Sequence, residues 1–461
     1  MPSISRQLAA WVESLRYEDL PPAVVDRAKG VTLHALASAL IGSRMPESAQ
    51  ALSMMQAEEA GGAGAARVLV DGSRLTKAAA ALVNSEMIFA GGKWDTFRML
   101  THPSCAVLPA ALASAEVESL SGKEFITGVV AGYEVMERMA ADFIPSVMAR
   151  GFHAGPVFGI FGAAITLAKC AKLNREQIHG AIAQCVNLAS GNLEGIRSGG
   201  RSLREGGAVR NALLAVAMAK QGVPGGETVL EGEAGFYHSY AGNNLGKLSY
   251  SFSADRVAAL ADISADLGSK WLFLETLYRI YSTAGYNIAH VDVTAALCAE
   301  HNIRVADIAH IEATVNWLET EYPSPAFPVR SRDPHVGSTQ YYSAYGAVTG
   351  GFPLLKNVER GIGEADPPAV LDLMRRVTLI PSHRHPLFAP KVTIHLNNGQ
   401  SVTRAATGKE FIWDFEQEVQ RLRGAEHGMP IDAARFAQLS ELCRSLEQQS
   451  DAARLIDLTL S

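Results

Sequence analysis

The chain reads as a mainly α protein: a large all-helical domain with a smaller α+β lid domain inserted before its C-terminal helices. Three observations predict this. Residues 150–172 run RGFHAGPVFGIFGAAITLAKCAK, and a helix apolar on all sides belongs in the middle of a large protein. After about residue 270 the hydrophobic period shortens from that of a helix to that of a strand. From about 410 the helical pattern returns. The expected boundaries are 1–268 with 408–461 for the helical domain and 269–407 for the lid, with the site in a cleft between them.

The N-terminal segment MPSISRQLAAWVESL places Leu8, Trp11, Val12 and Leu15 at helical spacing. It has no basic stretch and no cleavage site, so it does not read as a signal peptide. Ser121-Gly-Lys-Glu124 is a capping-box pattern, and Asn174 with Gln177 repeats it. Residues 208–220 form another apolar helix, closed by Gly222 and Pro224. The glycine pairs at 199–200, 206–207 and 225–226 have no strand before them, so they are turns and helix ends. Further on, Ile311, Ala313 and Val315 alternate with polar residues, and 377–380 is a β-branched run. Residues 391–406 are a hairpin turning at Asn398-Gly399, with Val392, Ile394 and Leu396 inward and His395 outward. Two helices fit between the strands, around 290–301 and 338–350. The tail, EFIWDFEQEVQRL then DAARFAQLSELCRSLEQ, rejoins the first helical domain in this reading.

The 461 residues are 48% hydrophobic with a net charge of −6, ample for a core and without a basic stripe for nucleic acid. Five cysteines, none near another, argue for a reducing, cytoplasmic setting and against a disulfide framework or zinc ribbon. No charge-free run reaches the length of a membrane span. Nucleic-acid and membrane partners are therefore not expected.

Four places combine polar groups with apolar surroundings. Lys93-Trp94-Asp95-Thr96 and Thr101-His102-Pro103-Ser104 lie between two apolar helices. The competing account there is a helix start capped by Ser104, with Lys93 and Asp95 as a structural ion pair. His153 stands at the mouth of the buried helix, where a satisfied core histidine is the plain alternative. Arg201 and Arg204 sit in the run Arg197 to Glu205, either as an anion clamp or as a solvated charged loop. Tyr281 to His290 leads into the helix VDVTAAL, and His290 is otherwise a polar helix-start residue. Cations that hold carboxylates and histidines that move protons suit proton abstraction beside a carboxylate. Neither a nucleophile elbow, a metal-ligand spacing nor a dinucleotide fingerprint is present, so no metal or cofactor is expected.

The stretches RGFH…FGAAITLAK, THPSCAVLPAALASAE and AVRNALLAVAMAKQGVPGGETVLEGEAGFY closely resemble the MmgE/PrpD family, in order over nearly the whole chain through HVDVTAAL to VTIHLNNGQ. The resemblance implies an all-helical domain with a smaller α+β lid, in a homodimer, acting on small carboxylic acids. The family's Asp-Phe-Asp-Asp-Thr corresponds to Gly92-Lys93-Trp94-Asp95-Thr96, so Gly92 stands where the family has a catalytic Asp. His102 and His153 match fully, as does His290. The family's Lys-Arg-Leu-His is Arg201-Ser-Leu-Arg204 here, and its Lys-Pro-Tyr-Pro is Tyr281-Ser-Thr-Ala, with Tyr286 beyond.

These residues predict a cofactor-independent, dehydratase-like lyase that removes a proton alpha to a carboxylate. His153, His102, Lys93, Asp95 and Tyr281 are the candidate catalytic residues. Thr96, Arg201, Arg204, Tyr286 and His290 are the candidate substrate-binding residues. An isomerase or epimerase, a decarboxylase on a related carboxylate, and a binding homologue without catalysis are the alternatives.

Overall fold

A computed structural model describes residues 2–59, 64–198, 203–242, 259–321 and 333–461. Chain contacts divide the described residues into two compact units, one holding those up to 242 with 259–278 and 413–461, the other 279–412. The protein is mainly α, with one small mixed sheet in its C-terminal part.

The first unit contains α1 (Ile4–Ser14), α2 (Pro22–Gly42), α3 (Pro46–Glu58), the short strand pair β1 (Ala66–Arg67) and β2 (Arg74–Leu75), α4 (Lys77–Ala90), α5 (Pro103–Val117), α6 (Gly122–Ala140), α7 (Ile144–Ala149), α8 (Ala154–Cys170), α9 (Arg175–Leu188), α10 (Leu203–Lys220) and α11 (Phe236–Ala241). The apolar helix α8 is its axis, with α5, α6, α9 and α10 packed around it. Every residue from Ala154 to Ala168 is buried. Glycine lets the helices approach closely: a Cβ on Gly132 of α6 would lie 2.8 Å from the Gly162 carbonyl of α8. At the far end Lys169 extends its ammonium to the carbonyls of Val12 (2.7 Å) and Leu15 (2.5 Å), where α1 ends. Both capping boxes form, at Ser121 with Glu124 and at Asn174 with Gln177.

The segment 271–278 belongs to this unit for an electrostatic reason. The amides of Leu272 (3.2 Å) and Phe273 (3.0 Å) donate to the buried Glu134 carboxylate, which also holds Arg138 at 2.5 Å. The tail returns to the same unit through α16 (Phe415–Arg423), α17 (Ala433–Arg444) and α18 (Arg454–Asp457). Glu418 bonds His34 of α2 and the Trp413 indole, each at 2.6 Å.

The second unit packs α12 (Gly285–Glu300) and α14 (Thr339–Thr349) against a four-stranded sheet. The strand order is β4 (Val377–Ser382), β3 (Ile308–Asn316), β5 (Lys391–Leu396), β6 (Ser401–Ala405). β4 runs parallel to β3, while β5 and β6 are antiparallel neighbours joined at Gly399, whose φ is +85°. Ile311, Ala313, Val315, Val392 and Ile394 supply the buried face of the sheet, meeting Val291, Leu297, Tyr341 and Tyr342. Two shorter helices, α13 (Trp317–Glu321) and α15 (Pro368–Leu373), complete it. Among the described residues no helix is long and apolar enough to cross a membrane.

Candidate active site

The candidate site begins where α4 ends. Gly91 caps the helix, and Gly92 follows in the left-handed region at φ +73°, a conformation glycine adopts without strain. A Cβ on Gly91 would collide with the Ser38 carbonyl, so the chain turns against α2 here. Lys93 is fully buried, with its amide 3.2 Å from Ser38 Oγ. Asp95 is fully buried as well. Its Oδ1 accepts the Ser104 amide at 3.0 Å and its Oδ2 accepts the Tyr133 hydroxyl at 2.5 Å. Burial pushes the Asp95 carboxyl up, against the pull of those donors. This corrects the expected helix start. Pro103 is the first residue of α5, and a free amide in that first turn is satisfied by Asp95, not by Ser104 acting as N-cap. Thr96 pairs with Leu277 in an isolated bridge, N–H to O 2.9 Å one way and 2.8 Å the other.

Two histidines face opposite backbone groups. His102 Nδ1 lies 3.1 Å from the Asp95 carbonyl and 3.4 Å from Thr96 Oγ1. A carbonyl only accepts, so the hydrogen bonding assigns the proton of neutral His102 to Nδ1 and a lone pair to Nε2. Trp94 packs edge-on to this ring at 5.3 Å and stacks on Phe89 at 4.4 Å. His153 is the N-cap of α8, and its Nδ1 accepts the Gly155 amide at 3.1 Å. An amide only donates, so neutral His153 carries its proton on Nε2. Burial drives the His153 pKa well below its ordinary value, and the charges of Arg204 and His102 push the same way. His153 is thus a neutral imidazole with its N–H at Nε2, and His102, in its neutral form, carries its lone pair at Nε2.

A buried carboxylate lies beside them. A Cβ on Gly155 would collide with Glu205 Oε1 and sit 3.0 Å from His153 Nδ1, which locates Glu205 at the first turn of α8. Glu205 is fully buried; its Oε2 has no hydrogen-bond partner among the described residues. Burial pushes its carboxyl up to about 7, partly offset by Arg204, with the charge of Glu86 raising it further. Arg204 Nε is 3.5 Å from Glu205 Oε1, its guanidinium lies over the Phe89 ring at 5.5 Å, and its Nη1 is buried without a partner among the described residues. Glu205, Glu86 and Tyr133 were not among the expected site residues. The signal for Glu86 was there: the one carboxylate in the helix KAAAALVNSEMIFA, where it is buried beside Asn84 and Ser85.

The raised Glu205 pKa has a consequence for stability. Its folded value exceeds the ordinary 4.5, so the folded state holds a proton that the unfolded chain has already lost. Stability therefore falls as pH rises from 4.5 to about 7, by about 3 kcal/mol for a shift of this size. Urea unfolding across this range is expected to show that slope in the wild type and to show less of it in Glu205→Gln. Parallel curves would remove Glu205 from the buried position described here.

Lys93, Asp95, Thr96, His102, His153 and Arg204 all lie in the first unit; Asp95 and Thr96 contact His102, and Arg204 and His102 act electrostatically on His153. Arg201 lies outside the described residues. Tyr281, Tyr286 and His290 belong to the second unit. Tyr281 donates to Asp292 at 3.3 Å and packs on Phe352. Tyr286 is a half-buried residue of α12. His290 is fully buried in α12, with Nδ1 3.0 Å from Ser343 Oγ on α14, and burial lowers its pKa to about 3. The polar-helix-start reading of His290 does not hold, because α12 begins five residues earlier at Gly285.

Comparison with known proteins adds the following. The profile of the MmgE/PrpD N-terminal domain matches residues 6–248. A cis-aconitate decarboxylase of Aspergillus terreus is 25% identical over 488 residues, covering 99% of this chain and 95% of the relative. A cis-aconitate decarboxylase-like protein, oryM, of Aspergillus oryzae is 25% identical over 490 residues, covering 99% and 97%. The human cis-aconitate decarboxylase is 30% identical over 210 residues, covering 43% and 44%.

Proposed function

We propose, since the chain belongs to the MmgE/PrpD family, that it is a lyase which breaks a bond beside a carboxylate of a small polycarboxylic acid. One observation carries this reading: His102 Nδ1 meets a backbone carbonyl and His153 Nδ1 a backbone amide, which assigns opposite neutral tautomers to two buried histidines that act electrostatically on one another. His102 Nε2 takes or returns a proton at carbon, as a general base or, once protonated, a general acid. His153 Nε2–H donates to the carboxylate oxygen on which negative charge develops. A neutral, pKa-depressed histidine polarising an oxygen is an established arrangement for enolate chemistry. The buried N–H of Arg204 suits a second carboxylate of the substrate.

The full-length relatives are named as cis-aconitate decarboxylases, which puts decarboxylation first. In that reaction the C–C bond to the departing CO₂ breaks and its electron pair enters the conjugated acid. His153 steadies the resulting enolate oxygen, and protonated His102 delivers a proton to carbon. Dehydration is the second reading, favoured by Glu205. A carboxyl with a pKa of about 7 is available at neutral pH to protonate departing hydroxide while His102 takes the alpha proton. In an epimerase, neutral His153 would not serve as the acid on the opposite face of the carbon.

The test is a panel of small unsaturated and hydroxy polycarboxylates, cis-aconitate among them, incubated in D₂O and followed by NMR. Release of CO₂ with one deuterium on carbon establishes decarboxylation. A new olefin with loss of hydroxyl and no CO₂ establishes dehydration. Deuterium exchange with every substrate atom retained, or no change across the panel, defeats the lyase reading.

A further inference from the structure

The outer face of the second unit's sheet carries a second cluster of ligating side chains, separate from the residues considered above. His310 and Glu312 stand two apart on β3, and His395 is the direct cross-strand partner of His310 on β5. A register irregularity between Ile308 and His310 resets the strand's phase. Ile308 and Ile311 are therefore both buried, and His310 and Glu312 share the outer face. The two imidazoles stack, with centroids 4.2 Å apart and planes 7° from parallel. Glu312 straddles them: Oε1 is 3.6 Å from His310 Nε2, and Oε2 is 3.5 Å from His395 Nε2. One ligand atom from each residue lies within 4.8 Å of the other two.

We propose that His310, Glu312 and His395 form a site for a borderline divalent transition cation of the zinc class. A tetrahedral ion with bonds of about 2.1 Å requires ligand atoms about 3.4 Å apart, and each histidine Nε2 already lies near that distance from one Glu312 oxygen, 3.6 Å for His310 to Oε1 and 3.5 Å for His395 to Oε2. Two imidazole nitrogens and a carboxylate suit zinc, copper or nickel; calcium and magnesium favour oxygen alone. The strands hold two of the ligands in register, so little chain entropy opposes binding. The side chains are 46%, 42% and 32% exposed for His310, Glu312 and His395, so the cluster lies at the surface, while His395 Nε2 itself is buried without a hydrogen-bond partner among the described residues. Bound there, the ion pins β3 to β5. Sequence spacing alone does not reveal the site, because His395 arrives on another strand.

Zinc titrated into chelator-treated full-length protein by calorimetry tests this. One equivalent is expected to bind and to raise the thermal midpoint, since a ligand of the folded state stabilises it. His310→Ala and His395→Ala are each expected to abolish both effects. Their zinc-free midpoints should stay near that of the wild type, because these side chains lie on the surface. A wild type that takes up no zinc, or a His395→Ala protein that binds it as the wild type does, overturns the proposal. Neither result bears on the lyase reading, which rests on the other unit.

Discussion

Replacing His102 by asparagine is expected to lower turnover on the substrate found in the panel by about 10²–10⁴-fold, the range for losing a general acid or base. The choice of asparagine matters. Its amide nitrogen falls where Nδ1 stood, so the bond to the Asp95 carbonyl is kept, and only the Nε2 lone pair is lost. The loop around Asp95 and Thr96 should hold, and the thermal midpoint should stay near wild type. A turnover within a few-fold of wild type would remove His102 from the proton path. A large fall in midpoint would mark it as structural.

His153 gives the second large effect, and two variants separate donor from base. His153→Asn keeps a side-chain oxygen where Nδ1 accepted the Gly155 amide, so α8 stays capped. It removes the Nε2–H, and a loss of about 10²–10³ in kcat is expected, as for deleting one oxyanion donor. His153→Gln does the reverse. Its amide reaches the Nε2 position and still donates, while the cap is lost. The glutamine protein is therefore expected to be less stable than the asparagine protein and more active. If His153 works as a base, both variants are equally inactive.

The two kinds of unit and most elements were legible because they rest on local signals. The capping boxes at Ser121 and Asn174, the Asn398-Gly399 hairpin and the apolar run of α8 each depend on neighbours in sequence. The position of His153 at the mouth of that helix was legible for the same reason. The roles of the site residues were not, because they depend on partners brought in by folding. Asp95 anchors α5 across a loop and meets Tyr133 from α6. Glu205 reaches the start of α8 from α10. Gly92, where the resemblance places a catalytic Asp, is the left-handed residue that closes α4. The tautomers follow from which backbone group each ring meets, an amide for His153 and a carbonyl for His102. No spacing rule encodes that choice.

Opposite tautomers are the basis of the proposed chemistry, and they can be observed without substrate. Long-range ¹⁵N–¹H NMR of histidine-labelled protein at neutral pH, assigned with the His102→Asn and His153→Asn variants, reads the protonated nitrogen of each ring. The account predicts a proton on Nδ1 of His102 and on Nε2 of His153. Finding the proton on Nε2 of His102, or a charged or Nδ1-protonated His153, would contradict it.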